Sequence, residues 1–468
     1  MRKNIFTLCL SFACLSMYAQ DEWIYINTDH GGEYNNLKEA IPVVDKLTGK
    51  FAFFLKERKG VTAYYFDENQ ELVSEFRAPE SLKKTPIFIG NSIDNNRYTL
   101  FFRNQIGRRI SSIQFNFDLN EYQIKEELNI ALKKELTIDY FNDDDILYLL
   151  SIIKGSSILK LYSFNVDSEV LVQTIDLSNE SFSDFRSSFY NLFLGPYGAE
   201  KSSKIILGEP TSLEIASAEN KAYFKDGIIT LTTDFSDKYT YLVNIDVKNG
   251  THSIEEYENK NIKRQELRAK SNSFIFDNYF FNVYSTTKRL VLDIYDRKTR
   301  DLVKELKIGE QYPISFINTP IILEGGDFKK YRELERNKQF LRKVTKSNLG
   351  VAVYKQNKNY VLTIGSSEEI ITQGQFAIMG GVLGGFVGGV LMASFNMYSK
   401  TKSTRVIGVF DSDYNHINGE VPLNGFDRIN EYTKSFKRIQ LESIFKYGDN
   451  YIWGCFYKST GAYRFLKF

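Results

Sequence analysis

Three histidines, a lone late cysteine and one short acidic run are the residues whose types and spacing invite chemistry. His30, His252 and His416 are the only histidines, and no two of them stand at metal-ligand spacing. The latter two fall just past polar turns, where ordinary surface histidines are expected. Asn142, Asp143, Asp144 and Asp145 offer oxygens to a calcium ion, but the run lacks the alternating ligands and the glycine of a calcium loop. It reads as a solvated turn between strands. Cys455, set in YIWGCFY, reads as a buried strand residue. No glycine-rich phosphate loop follows a strand, and there is no nucleophile elbow. The expectation is therefore no catalytic residue, no cofactor and no metal, in a chain that is not an enzyme.

The unusual physics sits elsewhere. Residues 376–395, FAIMGGVLGGFVGGVLMASF, carry no charge, and nothing ionisable lies between Glu369 and Lys400. A membrane helix needs about 20 apolar residues. Gly380, Gly384 and Gly388, flanked by Gly381, Gly385 and Gly389, would form a smooth stripe on a helix. Each costs about 1 kcal/mol against Ala in water, so such a helix must be held by close packing or by lipid. Phe376, Phe386, Leu391 and Phe395, with these six glycines, are the expected docking residues. The competing reading is a buried hairpin that plugs its own protein.

A second candidate is 327–344, DFKKYRELERNKQFLRKV, with seven basic residues against three acids. As one amphipathic helix it would place Phe328, Tyr331, Leu334 and Leu341 roughly on one side. Lys329, Lys330, Arg332, Arg336, Arg342 and Lys343 would then meet a membrane surface. The alternative is a helix packed over the rim of the fold.

Charge at large excludes one partner class. Sixty Lys and Arg against 58 Asp and Glu give a net +2, so no global field recruits nucleic acid. Arg2 and Lys3, the apolar run Ile5–Leu15 and the exit Met17-Tyr18-Ala19 read as an export signal over residues 1–19. A lipid-anchored start at Cys14 is the alternative. Removing the signal leaves Cys455 as the sole thiol, so no intramolecular disulfide forms and the core must suffice alone. Composition and the Ala-Gln exit resemble envelope proteins of AT-rich Gram-negative bacteria such as the Bacteroidota.

The elements that must position these stretches repeat. An apolar strand ending in an aromatic or Ile is followed by Asp or Asn, a polar turn and a second strand. The turn residues are Asp67, Asp118, Asn165, Asp246, Asp296 and Asp411, at intervals of 51, 47, 81, 50 and 115. An Asx side chain bonds the backbone two residues on. A period of about 50 residues, with two more strands ahead of each signature, is a four-stranded unit. The C-terminal tail supplies only three strands, and Glu22–Asn27 is the expected fourth, removing the free edge.

This pattern resembles β-propellers over nearly all of residues 20–468, in architecture alone. No Trp-Asp or kelch signature appears. The expected fold is all-β, a seven-bladed β-propeller with six or eight blades possible, and a pair of β-sandwiches as the alternative. The two long intervals exceed a unit by about 31 and 65 residues. They place inserts at 179–216 and 311–344 between blades and at 370–399 within blade six, all on one face. The 370–399 insert also resembles glycine-zipper segments of bacterial envelope proteins. The resulting expectation is an exported, periplasmic or outer-membrane-associated scaffold. It would dock on an envelope protein complex or the outer membrane, with possible self-association through the glycine stretch. The rival is a ligand-binding or carbohydrate-active propeller with its site in the central channel.

Overall fold

A computed structural model describes residues 22–28, 37–79, 82–143, 145–183, 188–195, 198, 202–236, 238–260, 269–325, 331–368, 389–399, 402–436 and 439–468. The export-signal region lies outside them. Among the described residues the chain is all-β and propeller-like, with seven sheets, each built on an antiparallel core. In chain order sheets one to three span 37–78, 87–125 and 135–176, each with four strands in sequence order. Sheet four spans 203–258 and sheet five 270–309. Sheet six spans 321–410, and sheet seven joins 440–467 to Glu22–Asn27.

Within a sheet, burial falls from the inner strands to the last. Gly60–Phe66 of sheet one is buried throughout, whereas Leu72–Ala78, the last strand, is mostly exposed. Inner strands are covered on both faces because the sheets stack on one another. Phe54 of sheet one meets Phe115 of sheet two at 4.9 Å between ring centroids. Phe101 meets Phe164 across sheets two and three at 5.5 Å, and Phe141 meets Phe224 across three and four at 5.9 Å. Tyr223 reaches Phe274 at 6.0 Å and Phe276 reaches Tyr360 at 6.0 Å, carrying the succession to sheet six. Sheet seven packs on sheet one, with Phe445 and Phe51 stacked at 5.1 Å. This succession explains the aromatic richness, since rings spanning two sheets bury large apolar area in offset or edge-on contacts.

The turns follow the Asx chemistry. The Oδ1 atoms of Asp246 and Asp296 accept backbone N–H bonds from residues two and three positions on, at 2.8–3.0 Å. Those bonds hold both carboxyls below the usual range. In sheet two the turn starts two residues earlier than expected: Asn116, not Asp118, accepts from Asp118 N and Leu119 N. Sheet six departs further. After Asp411 only an isolated bridge joins Phe410 to His416. Its outer position is taken by Ile321–Glu324, which pairs with Ser403–Phe410 and itself carries Arg332–Leu334 at its edge.

Glu22–Asn27 pairs antiparallel with Ala462–Lys467, so the two ends of the described chain share sheet seven. Trp23 lies 5.4 Å from Phe51 and 4.8 Å from Tyr447. Deleting Glu22–Asn27 strips this cluster, and a loss of about 3 kcal/mol or more is expected when such aromatics leave a core. A urea midpoint unchanged by the deletion would refute this role for the strand.

Among the described residues five α-helices pack against the sheets: α1 (Phe189–Leu194), α2 (Leu213–Ala216), α3 (Asn337–Lys346), α4 (Gly389–Ser399) and α5 (Gly425–Thr433). The inserts expected to decorate one face instead contribute core. Leu192, Phe193, Leu213 and Ile215 from 179–216 are buried, as are Phe340, Leu341 and Val344 from 311–344.

Candidate functional site

The stretch 368–402, which contains the glycine-rich segment, is bounded by adjacent strand ends of sheet six. Ser366 and Ser367 pair with Thr404 and Ser403, the ends of adjacent strands in sheet six. Just beyond, Lys402 Nζ lies 2.9 Å from Glu368 Oε2. Phe376, Gly380, Gly381, Gly384, Gly385, Phe386 and Gly388 lie outside the described residues. Gly389 opens α4, and from there the chain is part of the protein's own core. Phe395 is 4% exposed and meets Phe426 of α5 edge-on at 5.5 Å. Met392 is buried and Leu391 half-buried in the same cluster, which also holds Ile444 and Trp453 of sheet seven. Leu391 and Phe395 are therefore anchors of the insert and not surfaces offered to a partner. No helix among the described residues is long and apolar enough to cross a membrane.

The basic stretch is not one helix. Lys329 and Lys330 lie outside the described residues, and Arg332 stands in the edge strand Arg332–Leu334. Arg336 caps α3, which begins only at Asn337 and buries Phe340, Leu341 and Val344 against sheets five and six. Arg342 is exposed and Lys343 half-exposed. The apolar face that a membrane-surface helix would lay on lipid is thus already covered. Edge pairing of Arg332–Leu334 with Ile321–Glu324 overrides the helical periodicity, as tertiary context commonly does.

The residues suggested by their chemistry are separate from one another. His252 Nε2 sits 2.9 Å from Glu180 Oε1. His416 Nε2 sits 3.0 Å from Asn318 Oδ1, and burial lowers its pKa. His30 and Asp144 lie outside the described residues. Asn142 Oδ1 accepts from Asn91 N at 2.7 Å, which makes the acidic run a tie between sheets two and three. Cys455 is buried, and its thiol is pushed up to about 12 by desolvation. No group of metal-binding side chains occurs among the described residues.

One constellation was not anticipated. Between sheets six and seven, Asn424 Nδ2 donates to Tyr398 Oη at 2.9 Å and to Tyr354 Oη at 3.2 Å. Asn424 and Asp427 form a reciprocal capping box at the start of α5. Nearby, the Tyr451 hydroxyl donates to Glu209 Oε2, and Lys446 Nζ lies 2.6 Å from Glu209 Oε1. Burial raises the Asp427 carboxyl and pushes the Tyr354 phenol up to about 12. Two carboxylates and three phenols, one of them Tyr398 of α4, thus gather between sheets six and seven. No local signal announces them, because Glu209 and Tyr451 are 242 residues apart.

No protein-family model matches the chain, and no curated protein matches it. Solved structures similar to it include a cobalt-substituted Synechocystis apocarotenoid oxygenase, 9% identical with a TM-score of 0.28. That match covers 60% of this chain and 64% of the other, so the chain spans less than two thirds of the oxygenase's length. A protein from Lactobacillus plantarum is 10% identical, TM-score 0.28, over 71% of this chain and 85% of its own. Prolyl oligopeptidase B from Galerina marginata is 10% identical, TM-score 0.31, over 90% of this chain and 47% of its own. The expectation that the chain is not an enzyme is corrected here, because enzymes stand among these neighbours. Their likeness assigns no reaction to this chain.

Proposed function

We propose that the protein is an exported seven-bladed propeller that serves as an interaction module of the cell envelope. In this reading the seven sheets are seven blades in a closed ring, supported by the succession of aromatic contacts that runs from sheet one through six and from seven back to one. The docking element is the charge-free segment 370–388, and the partner is a membrane or a membrane protein complex. The observation that carries this is that the stretch 368–402, which contains the segment, begins and ends at one edge of sheet six, beside the paired Ser367 and Ser403, with α4 held in the core on the way back. A segment that leaves and returns at one edge is suited to dip into one leaflet or a partner groove, not to cross a bilayer.

The test is fractionation and crosslinking of cells expressing the full chain and a Gly384→Asp, Gly388→Asp variant. The wild type should sediment with membranes and crosslink there, and the variant should be released with an unchanged melting temperature. Retention of the folded variant on the membrane would refute docking through this stretch. A second reading, a ligand site between sheets six and seven, is favoured by the convergence of Glu209 and Asp427 with Tyr354, Tyr398 and Tyr451. A ligand that shifts the melting temperature of wild type but not of Tyr354→Phe, Tyr398→Phe would support it.

A further inference from the structure

Residues 202–218 add one short parallel strand to sheet four and otherwise run mostly buried between sheets. Ser202 Oγ donates to Ile138 O of sheet three at 3.4 Å, and Ser203–Ile205 pairs parallel to the first strand of the sheet-four meander, Asn220–Lys225. Glu209 then reaches Tyr451 and Lys446 of sheet seven, and Glu214 accepts from the backbone N–H of Lys402 beside sheet six. Asn272 of sheet five donates to Ser217 O at 3.1 Å. Gly350 of sheet six approaches so closely that a Cβ there would stand 3.0 Å from Ser217 Cβ. One segment is therefore tied to five sheets, and most of it is buried.

What it covers is charged. Ser203 stands opposite Lys221, whose Nζ lies 2.8 Å from Asp234 Oδ2, with both side chains essentially inaccessible. Asp234 also accepts from Thr240 Oγ1 at 2.7 Å and from Ser273 N and Oγ at 3.0 and 2.9 Å. A pair so deeply buried is expensive to desolvate and adds little stability over apolar packing. Its cover is pinned at the far end by a tie that reaches solvent: Lys446 is 40% exposed and Gly208, next to Glu209, is exposed.

We propose that residues 202–218 form a displaceable strap, latched by Glu209 to Tyr451 and Lys446, whose release uncovers the Lys221–Asp234 pair buried at sheet four. The latch is polar, and although Glu209 and Tyr451 are buried its Lys446 end reaches solvent, so its loss removes a side-chain tie and none of the ring contacts between stacked sheets. Hydrogen exchange and acylation with an amine-reactive reagent, mapped by peptide mass on the full-length protein, test this. In Glu209→Ala, exchange across 202–218 should rise at least about tenfold, the ratio expected when one tie worth about 1.4 kcal/mol is lost. Lys221 should become acylated, while Phe51–Glu57 and Leu147–Ile153 exchange as in wild type. Tyr451→Phe, which removes one donor, should show the same pattern more weakly and serves if Glu209→Ala fails to fold. Unchanged exchange, an even rise over all seven sheets, or a Lys221 that stays unlabelled would each overturn the proposal.

Discussion

Phe395→Ala should lower the unfolding free energy by about 3–5 kcal/mol, the cost of emptying a packed aromatic site, whereas replacing 370–388 with a Gly/Ser linker should leave the urea midpoint nearly unchanged. The contrast follows from where the insert changes character. Phe395 is buried against Phe426, and Met392 and Met397 are buried with it. Phe426 in turn reaches Tyr451 of sheet seven at 5.5 Å. Helices α4 and α5 thus occupy the gap between sheets six and seven that direct ring-on-ring contact fills elsewhere. Emptying the Phe395 site removes the wedge, so the effect should appear as a shift in midpoint. A deletion carried through Tyr398 should be at least as damaging as Phe395→Ala. If that longer deletion folds with wild-type stability, α4 is ornamental and the docking element extends to Phe395 after all.

Much of the architecture was legible because it rests on short-range chemistry. Asp67, Asp246 and Asp296 start turns whose backbone bonds are local, so the strand pairs around them are visible in sequence. The missing strand of sheet seven was legible by counting, since an unpaired edge demands a partner. Apart from that strand, what failed was decided by distant contacts. Ile321–Glu324 is too short to announce itself, and it fills the outer place in sheet six only because the chain after Asp411 yields no strand there. Arg332–Leu334 has helical periodicity but pairs at that new edge. The strap 202–218 registered only as excess length, which says nothing about where the excess goes. The glycine stretch misled at its end for a related reason. Charge-free, small-residue sequence suits lipid and suits a wedge in a core, and only Met392 and Phe395 in their cluster separate the two.

The other large effect concerns the pair beneath the strap. Lys221→Met should destabilise the protein by about 3–5 kcal/mol, because it leaves the Asp234 carboxylate buried without its counter-charge. Asp234 would keep its bonds from Thr240 and Ser273, and neutral donors compensate only part of a buried charge. The double variant Lys221→Met, Asp234→Asn should recover most of that loss. With the amide oxygen in the Oδ2 position it still accepts from Ser273 N and Oγ, the amide NH2 in the Oδ1 position donates to Thr240 Oγ1, whose hydroxyl turns to accept, and Met fills the volume of the lysine stem. Coupling between the two sites should therefore be strongly non-additive, with the double variant more stable than Lys221→Met alone. Urea denaturation of wild type, both single variants and the double variant closes the cycle. If the single losses instead add, the two charges do not stabilise each other across sheet four, and the pair is not what the strap protects.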